Sequence, residues 1–349
     1  MAQNAVGRLF RSRSALRQSW MPFIQVRHAS AKVPSFTPTS SPELDQALNR
    51  IRDELFIPYS LDPAQQRLVF KQKYSEKLDE EPVTVTVGDE KVQLRPMDHQ
   101  TRPRKEEIVP IIKMMKTTKD WQNVIPLLTG LREHRRFLTD GRWEWLVRMA
   151  GNANAMGIIL ECAKQAERTG FRLRKPGVVQ RVFFELHRMA HTGPEGAAKA
   201  LRIARQMADM MDWPEHINHD VNEDPKRRPF LIGGLLELYA IRAWNELEGK
   251  DADGAVQKYA ERLLTNWKLG AFEPVEDWVQ TDHMLQQNVP IWSGLTKALQ
   301  VDGIAIRDQL RERERQIHAL ISKQLDQAPK SVQEKPTLGY KQALAVFQR

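Results

Sequence analysis

Apolar residues recur at helical spacing along most of this chain, and the helical stretches come in pairs with short breaks between them. The first predicted pair covers 108–116 and then opens at Asp120-Trp121 and runs to about Phe137. A second covers 142–150, breaks at Gly151-Asn152, and resumes over 155–168 before Gly170. The third covers 178–190, breaks at Thr192-Gly193-Pro194, and continues over 195–211. A polar insert from Asp212 to Pro229 precedes a fourth pair, 230–247 and 254–269, in which Gly233-Gly234 allows close helix packing. The starts at Ile108, Arg142 and Val178 lie 34 and 36 residues apart, the period of stacked helical hairpins. The pattern predicts an all-α, right-handed solenoid of about four hairpins over residues 102–270.

Residues 42–101 read differently. Ser40 or Ser41, then Pro42 and Glu43, supply a hydroxyl cap, a first-turn proline and an acid near the positive helix end. Leu44, Leu48, Ile51 and Leu55 then mark an apolar face, and Asp62-Pro63 opens a second helix carrying Leu68, Val69 and Tyr74. From Val83 to Val87 the period drops to two, Gly88-Asp89 turns, and Val92 to Leu94 returns. That hairpin is the one clear strand signal, and it must pack on the helical body or on a partner. At the other end, residues 271–328 read as C-terminal helices. The best of them covers 304–325, with Leu310, Ile317, Ile321 and Leu325 on one side and arginines among acids on the other. It caps the solenoid or docks on a partner. The tail, 329–349, reads as extended.

The first 42 residues hold five arginines, one lysine and no acid. Arg8, Leu9, Arg11, Arg13, Leu16 and Arg17 give a helix one cationic and one apolar face, the mark of a mitochondrial presequence. Arg27 two before Ala29 places cleavage between His28 and Ala29, so residues 1–28 are read as the leader and 29–41 as a Ser/Thr/Pro-rich linker. A basic tail or a nucleic-acid arm is the alternative. The expected address is the mitochondrial matrix. No apolar run approaches the ~20 residues that span a bilayer.

Without the leader the net charge falls from +9 to +4, and its distribution matters more than its sum. Residues 102–205 carry a net +11, whereas 29–101 carry −3 and 206–349 carry −4. A basic middle between acidic flanks points to a polyanion or an acidic partner, against the alternative of a solvated helical surface. Its clusters are Arg102, Arg104 and Lys105; Arg132, Arg135 and Arg136; Arg168, Arg172, Arg174 and Lys175; and Arg202 with Arg205. In a solenoid, equivalent turns stack on one edge, so these residues align into a ridge that meets phosphates without reading sequence. Trp121, Trp143 and Trp145 either stack on unpaired bases or fill the core.

Other chemistry is thin. The single cysteine, Cys162, excludes an internal disulfide and a thiolate metal cage. His187 and His191 stand four apart on one helix face, but the nearest acid, Glu185, points elsewhere and no third ligand is evident. His216 and His219, with Glu215 and Asp220, fall in the insert, which reads as disordered or ordered by a partner. Phosphate-loop, nucleophile-elbow and dinucleotide signatures do not occur. No enzyme, metal or cofactor is expected.

The stretch RWEWLVRMAGNANAMGIILECAKQAERTGFRL, residues 142–173, resembles a pentatricopeptide-type hairpin, and its period is shared with tetratricopeptide-like repeats. The resemblance extends over about 104–270 and implies a helical-repeat scaffold. Pentatricopeptide repeats read single-stranded RNA with Asn, Ser or Thr on the first helix. Here Trp145, Leu146 and Val182 stand near those positions, so base-by-base reading is not implied. The basic middle, acidic flanks and extended termini resemble those of mitochondrial ribosome-associated subunits. That resemblance implies ribosomal RNA and mitoribosomal proteins as partners, with a protein bound in the solenoid groove or on the C-terminal helix. The alternative is a respiratory-complex assembly or messenger-RNA maturation factor using the same scaffold for protein binding.

Overall fold

The computed structural model describes residues 33–88, 90–98, 100 and 102–347. The leader and its cleavage point at His28 and Ala29 lie outside the described residues.

Helix α1 (Pro42–Ile51) begins where the serine, proline and acid predict, with Ser41 accepting from the Leu44 amide. Its apolar face continues through a π-helical turn, Arg52–Phe56, that buries Leu55 and Phe56. Asp62 caps α2 (Pro63–Phe70) with a full capping box. Strands β1 (Thr84–Val87) and β2 (Glu90–Gln93) pair antiparallel, Val85 opposite Val92. The hairpin packs inward through Val87 and Leu94, and the Met97 amide donates to Val69 at 2.9 Å, so the helical extension receives it.

The segment 33–41, read as linker, is pinned to the body. Asp120 is fully buried, and its carboxylate accepts from the Ser40 amide and hydroxyl at 2.8 and 2.9 Å and from the Thr117 amide at 2.9 Å. Burial alone would raise its pKa, but the bonds from Thr117 and Ser40 hold it at about 2. Asn123 binds Thr37 in the same way.

The body is a stack of helical hairpins, as the 34–36 residue period predicts. The pairs are α3 (Ile108–Met114) with α4 (Val124–Glu133), α5 (Asp140–Asn152) with α6 (Met156–Lys164), and α7 (Pro176–Ala190) with α8 (Pro194–Met210). Next come α9 (Pro229–Glu246) with α10 (Ala255–Thr265), and α11 (Trp278–Ala298) with α12 (Arg307–Asp326). First helices pack in sequence, α5 on α7, α7 on α9 and α9 on α11, and second helices line the other side. A backbone bridge between Lys250 and Asp302 joins successive inter-helix turns.

One sequence expectation gains detail and two need correction. Helix α11, 21 residues long, falls within the segment expected to hold C-terminal helices, yet the spacing alone does not reveal that it opens a fifth hairpin, because buried polar residues and Pro290 interrupt its apolar pattern. The tail is not extended: α13 (Leu338–Phe347) packs on α11 through buried Tyr340, Ala343 and Val346. The insert 212–229 is ordered, because buried His216 accepts the Leu173 amide on Nδ1 at 3.0 Å and reaches the Ala163 carbonyl with Nε2 at 3.1 Å.

Close packing at Gly233 is borne out, and Gly294 on α11 completes it. A Cβ on Gly233 would lie 2.8 Å from the Ile291 Cα, and one on Gly294 would lie 2.5 Å from the Gly233 carbonyl oxygen. Helices α9 and α11 therefore cross backbone against backbone. Gly294→Ala is expected to lower stability by about 1–3 kcal/mol, the cost of overpacking a site that cannot yield. Gly254→Ala, which meets nothing within 4 Å but sits at φ 68, serves as a backbone-strain control in thermal denaturation.

Candidate nucleic-acid interface

The basic clusters gather unevenly. Arg132 in the last turn of α4 and Arg136 just beyond it, with Arg172, Arg174 and Lys175 in the turn before α7, line one cavity of about 380 Å³. Gly170, in the left-handed region at φ 80, ends the turn of helix before it and lets the chain reverse there. A Cβ at Gly170 would stand 3.5 Å from Arg132 Nη1 and 3.8 Å from the Trp143 ring, so guanidinium and indole meet at this point. Arg132 also donates through Nε to the Glu167 carbonyl.

Two helix N-termini open on the cavity, α5 at Asp140 and α7 at Lys175, and neither is capped by its flanking side chain. The helix dipoles add positive potential to that of the side chains, most at α5, since α7 opens on Pro176, which has no N–H, and the Glu144 carboxylate stands beside Gly177. The one acid on the lining, Asp140, lies 3.6 Å from Lys175. Arg172 has its pKa lowered by burial first and then by the charges of Arg174 and Arg132. Its Nε is buried with no hydrogen-bond partner among the described residues.

Arg102 connects to this group indirectly. Its guanidinium lies over the rings of Tyr59 (5.2 Å) and Phe70 (4.9 Å). Burial would raise the Tyr59 pKa, but a hydrogen bond to Arg136 and the charge of Arg102 bring it below its usual value. Arg104, Arg135 and Arg168 are exposed and do not line the cavity; Lys105 is in a short 3-10 turn, its side chain outside the described residues. Arg202 and Arg205 are exposed on α8, with no ion pair among the described residues, and do not join the cavity. A continuous ridge thus reduces to a cluster at the α4–α5 and α6–α7 turns.

The tryptophans divide. Trp121 is buried and donates its indole N–H to the Met115 carbonyl at 3.1 Å, so it belongs to the core. Trp145 is half-buried against the core. Trp143 lines the cavity, edge-on to Phe171 with ring centroids 5.4 Å apart.

The histidine pair acquires a third group that helical spacing alone does not supply. Glu237 on α9, fully buried, accepts from His187 Nδ1 at 2.6 Å, His191 Nε2 at 2.9 Å and the Ser293 hydroxyl at 2.5 Å. Gln342 on α13 meets His187 Nε2 at 3.0 Å. Burial opposes the charge on Glu237, but His187 and His191 outweigh it and hold its pKa at about 2. Three such ligand atoms lie within 4.8 Å of one another. The 2.6 and 2.9 Å contacts are nevertheless charge-assisted hydrogen bonds, shorter than the about 3.3 Å that separates ligands around tetrahedral zinc. The available signal was a lone acid within the apolar run of α9. Glu185, as expected, turns away from the pair and meets Arg188 at 2.6 Å.

A stack of helical hairpins with a cationic, aromatic-lined cavity is a helical-repeat scaffold suited to a polyanion. The family model for mitochondrial ribosomal protein mS27 matches residues 23–346, and the chain belongs to that family. It is 26% identical over 266 residues to the small ribosomal subunit protein mS27 of Neurospora crassa, covering 69% of this chain and 67% of the relative. The chain is accordingly a structural component of the mitochondrial ribosome, and the assembly-factor alternative is not favoured.

Two outcomes follow from the buried groups. Glu237→Ala leaves two imidazoles and a hydroxyl without their acceptor and should lower stability by about 3–5 kcal/mol in chemical denaturation. For His216, burial lowers the pKa below 6.5. Its contribution should be complete above about pH 6.5 and should fall as pH drops toward the lowered folded value, where the unfolded chain binds the extra proton. Denaturation at pH 7.5 and 5.5 should show this loss, and His216→Ala should remove that part of it.

Proposed function

We propose that this chain is a non-catalytic scaffold of the small mitochondrial ribosomal subunit, works in the matrix, and holds ribosomal RNA through its basic middle. The observation that carries the reading is the convergence of Arg132, Arg136, Arg172, Arg174 and Lys175 on one cavity beside two helix N-termini. Such a group meets phosphates through charge and amides, with affinity that falls steeply as salt rises. The name of the Neurospora relative supports the choice of subunit. Neighbouring mitoribosomal proteins would take the solenoid groove or the end formed by α12 and α13.

Sedimentation of mitochondrial lysate, with and without EDTA, tests the assignment. The chain should follow the small subunit when EDTA separates the two; migration with the large subunit, or at the top of both gradients, would remove it. In vitro, Arg132→Ala, Arg135→Ala and Arg136→Ala together should weaken RNA retention and flatten its salt dependence. On a single strand the log–log slope should fall by up to about 0.7 for each phosphate that is no longer neutralised. Unchanged retention by a variant whose melting is also unchanged would sink the RNA contact.

A further inference from the structure

The cavity has features that holding a phosphate backbone does not require. It is a concavity of about 380 Å³ rather than a ridge, and aromatic rings stand among its cations. Trp143 is half-buried in its wall, braced edge-on by Phe171. Phe137, also on the lining, is 60% exposed, so its ring is open to a ligand. A duplex presents only its backbone to such a surface, because its bases are stacked inside. An unpaired nucleotide presents an anion and a flat ring together.

We propose that this cavity binds one unpaired nucleotide of RNA, its phosphate held by Arg132, Arg172 and Arg174 and its base against the rings of Trp143 and Phe137. This rests on the reading that the chain holds RNA and adds what the site selects: a bulged or single-stranded nucleotide in place of a helical backbone. The charge arrangement agrees. Arg172 has a buried Nε without a partner among the described residues, between two further guanidiniums, and the lining's single acid faces Lys175. A phosphodiester adds negative charge where Glu167 and Glu215 only partly offset the charges around Arg172. The ring of a base then fills apolar space that solvated phosphates leave open. No base-specific contact is implied, so the site discriminates unpaired from paired RNA and not one sequence from another.

The test compares three fluorescently labelled RNAs with the same number of phosphates: single-stranded oligouridine, the same strand with abasic sites, and a hairpin that is paired throughout its stem. Full-length mature protein is titrated with each by anisotropy. Oligouridine is expected to bind about tenfold tighter than the abasic strand, the scale of one base–aromatic stack. Phe137→Ala, at an exposed position that leaves the core intact, should shrink that difference several-fold without changing the salt slope. Ultraviolet crosslinking should attach the oligouridine to peptides containing Phe137 or Trp143. Equal binding of all three RNAs overturns the pocket while leaving RNA binding in place. Binding of none overturns the underlying reading as well. Displacement of oligouridine by polyglutamate at equal charge, with no effect of Phe137→Ala, would assign the cavity to an acidic protein segment and overturn the proposal.

Discussion

A single buried carboxylate, Glu237, organises the middle of this molecule. A carboxylate in the interior is costly unless every lone pair is met and its charge is balanced. Here two imidazoles and a hydroxyl meet it, and they come from α7 and α11 while the acid comes from α9. Gln342 of α13 extends the same network. Ser293 lies within reach because its neighbour Gly294 carries no side chain and lets α11 rest on the backbone of α9. Charge satisfaction and helix spacing are thus one requirement, and a shift in either helix would break both.

That requirement reaches the basic cavity through α7. His187 lies twelve residues from Lys175, about 18 Å along the helix axis. The helix is fixed by Glu237 near its C-terminal end and offers its first turn to the cavity at the other. A helix anchored so firmly holds its dipole and Lys175 in place against the repulsion of the arginines around them. The α4–α5 and α6–α7 turns approach each other for a similar reason: Gly170 reverses the chain, Arg132 bonds across to Glu167, and Phe171 and Leu173 bury themselves below.

Much of this was legible in the sequence because helical periodicity and its breaks are local. Gly170, the Thr192-Gly193-Pro194 break and the alternation of Val83 to Val87 each placed an element boundary or type by its own chemistry. The place of α11 in a fifth hairpin escaped because it is tertiary: Thr281, Asp282, Gln286 and Asn288 are buried polar residues on it, Asp282 meeting Thr337 and Tyr340, so no apolar stripe stands out. The tail escaped for the same reason, since α13 gains its stability by lying on α11. Charge counting located the basic middle but could not say which cations meet. Arg202 and Arg205 share its composition and stand elsewhere, whereas Arg132 and Arg172, forty residues apart, come together through Gly170. Glu237 was visible as an acid in an apolar run, yet its pairing with His187 needed the packing of two helices to appear.

The crowding of Arg132, Arg172 and Arg174 has a consequence for the chain before it is assembled. Like charges gathered on one cavity oppose the native state, and mobile ions weaken that opposition. The isolated molecule should therefore become firmer as ionic strength rises, the reverse of a fold held by exposed ion pairs. On the proposed reading, a copy that has not joined its ribosome carries this tension unrelieved and is the more readily unfolded of the two populations.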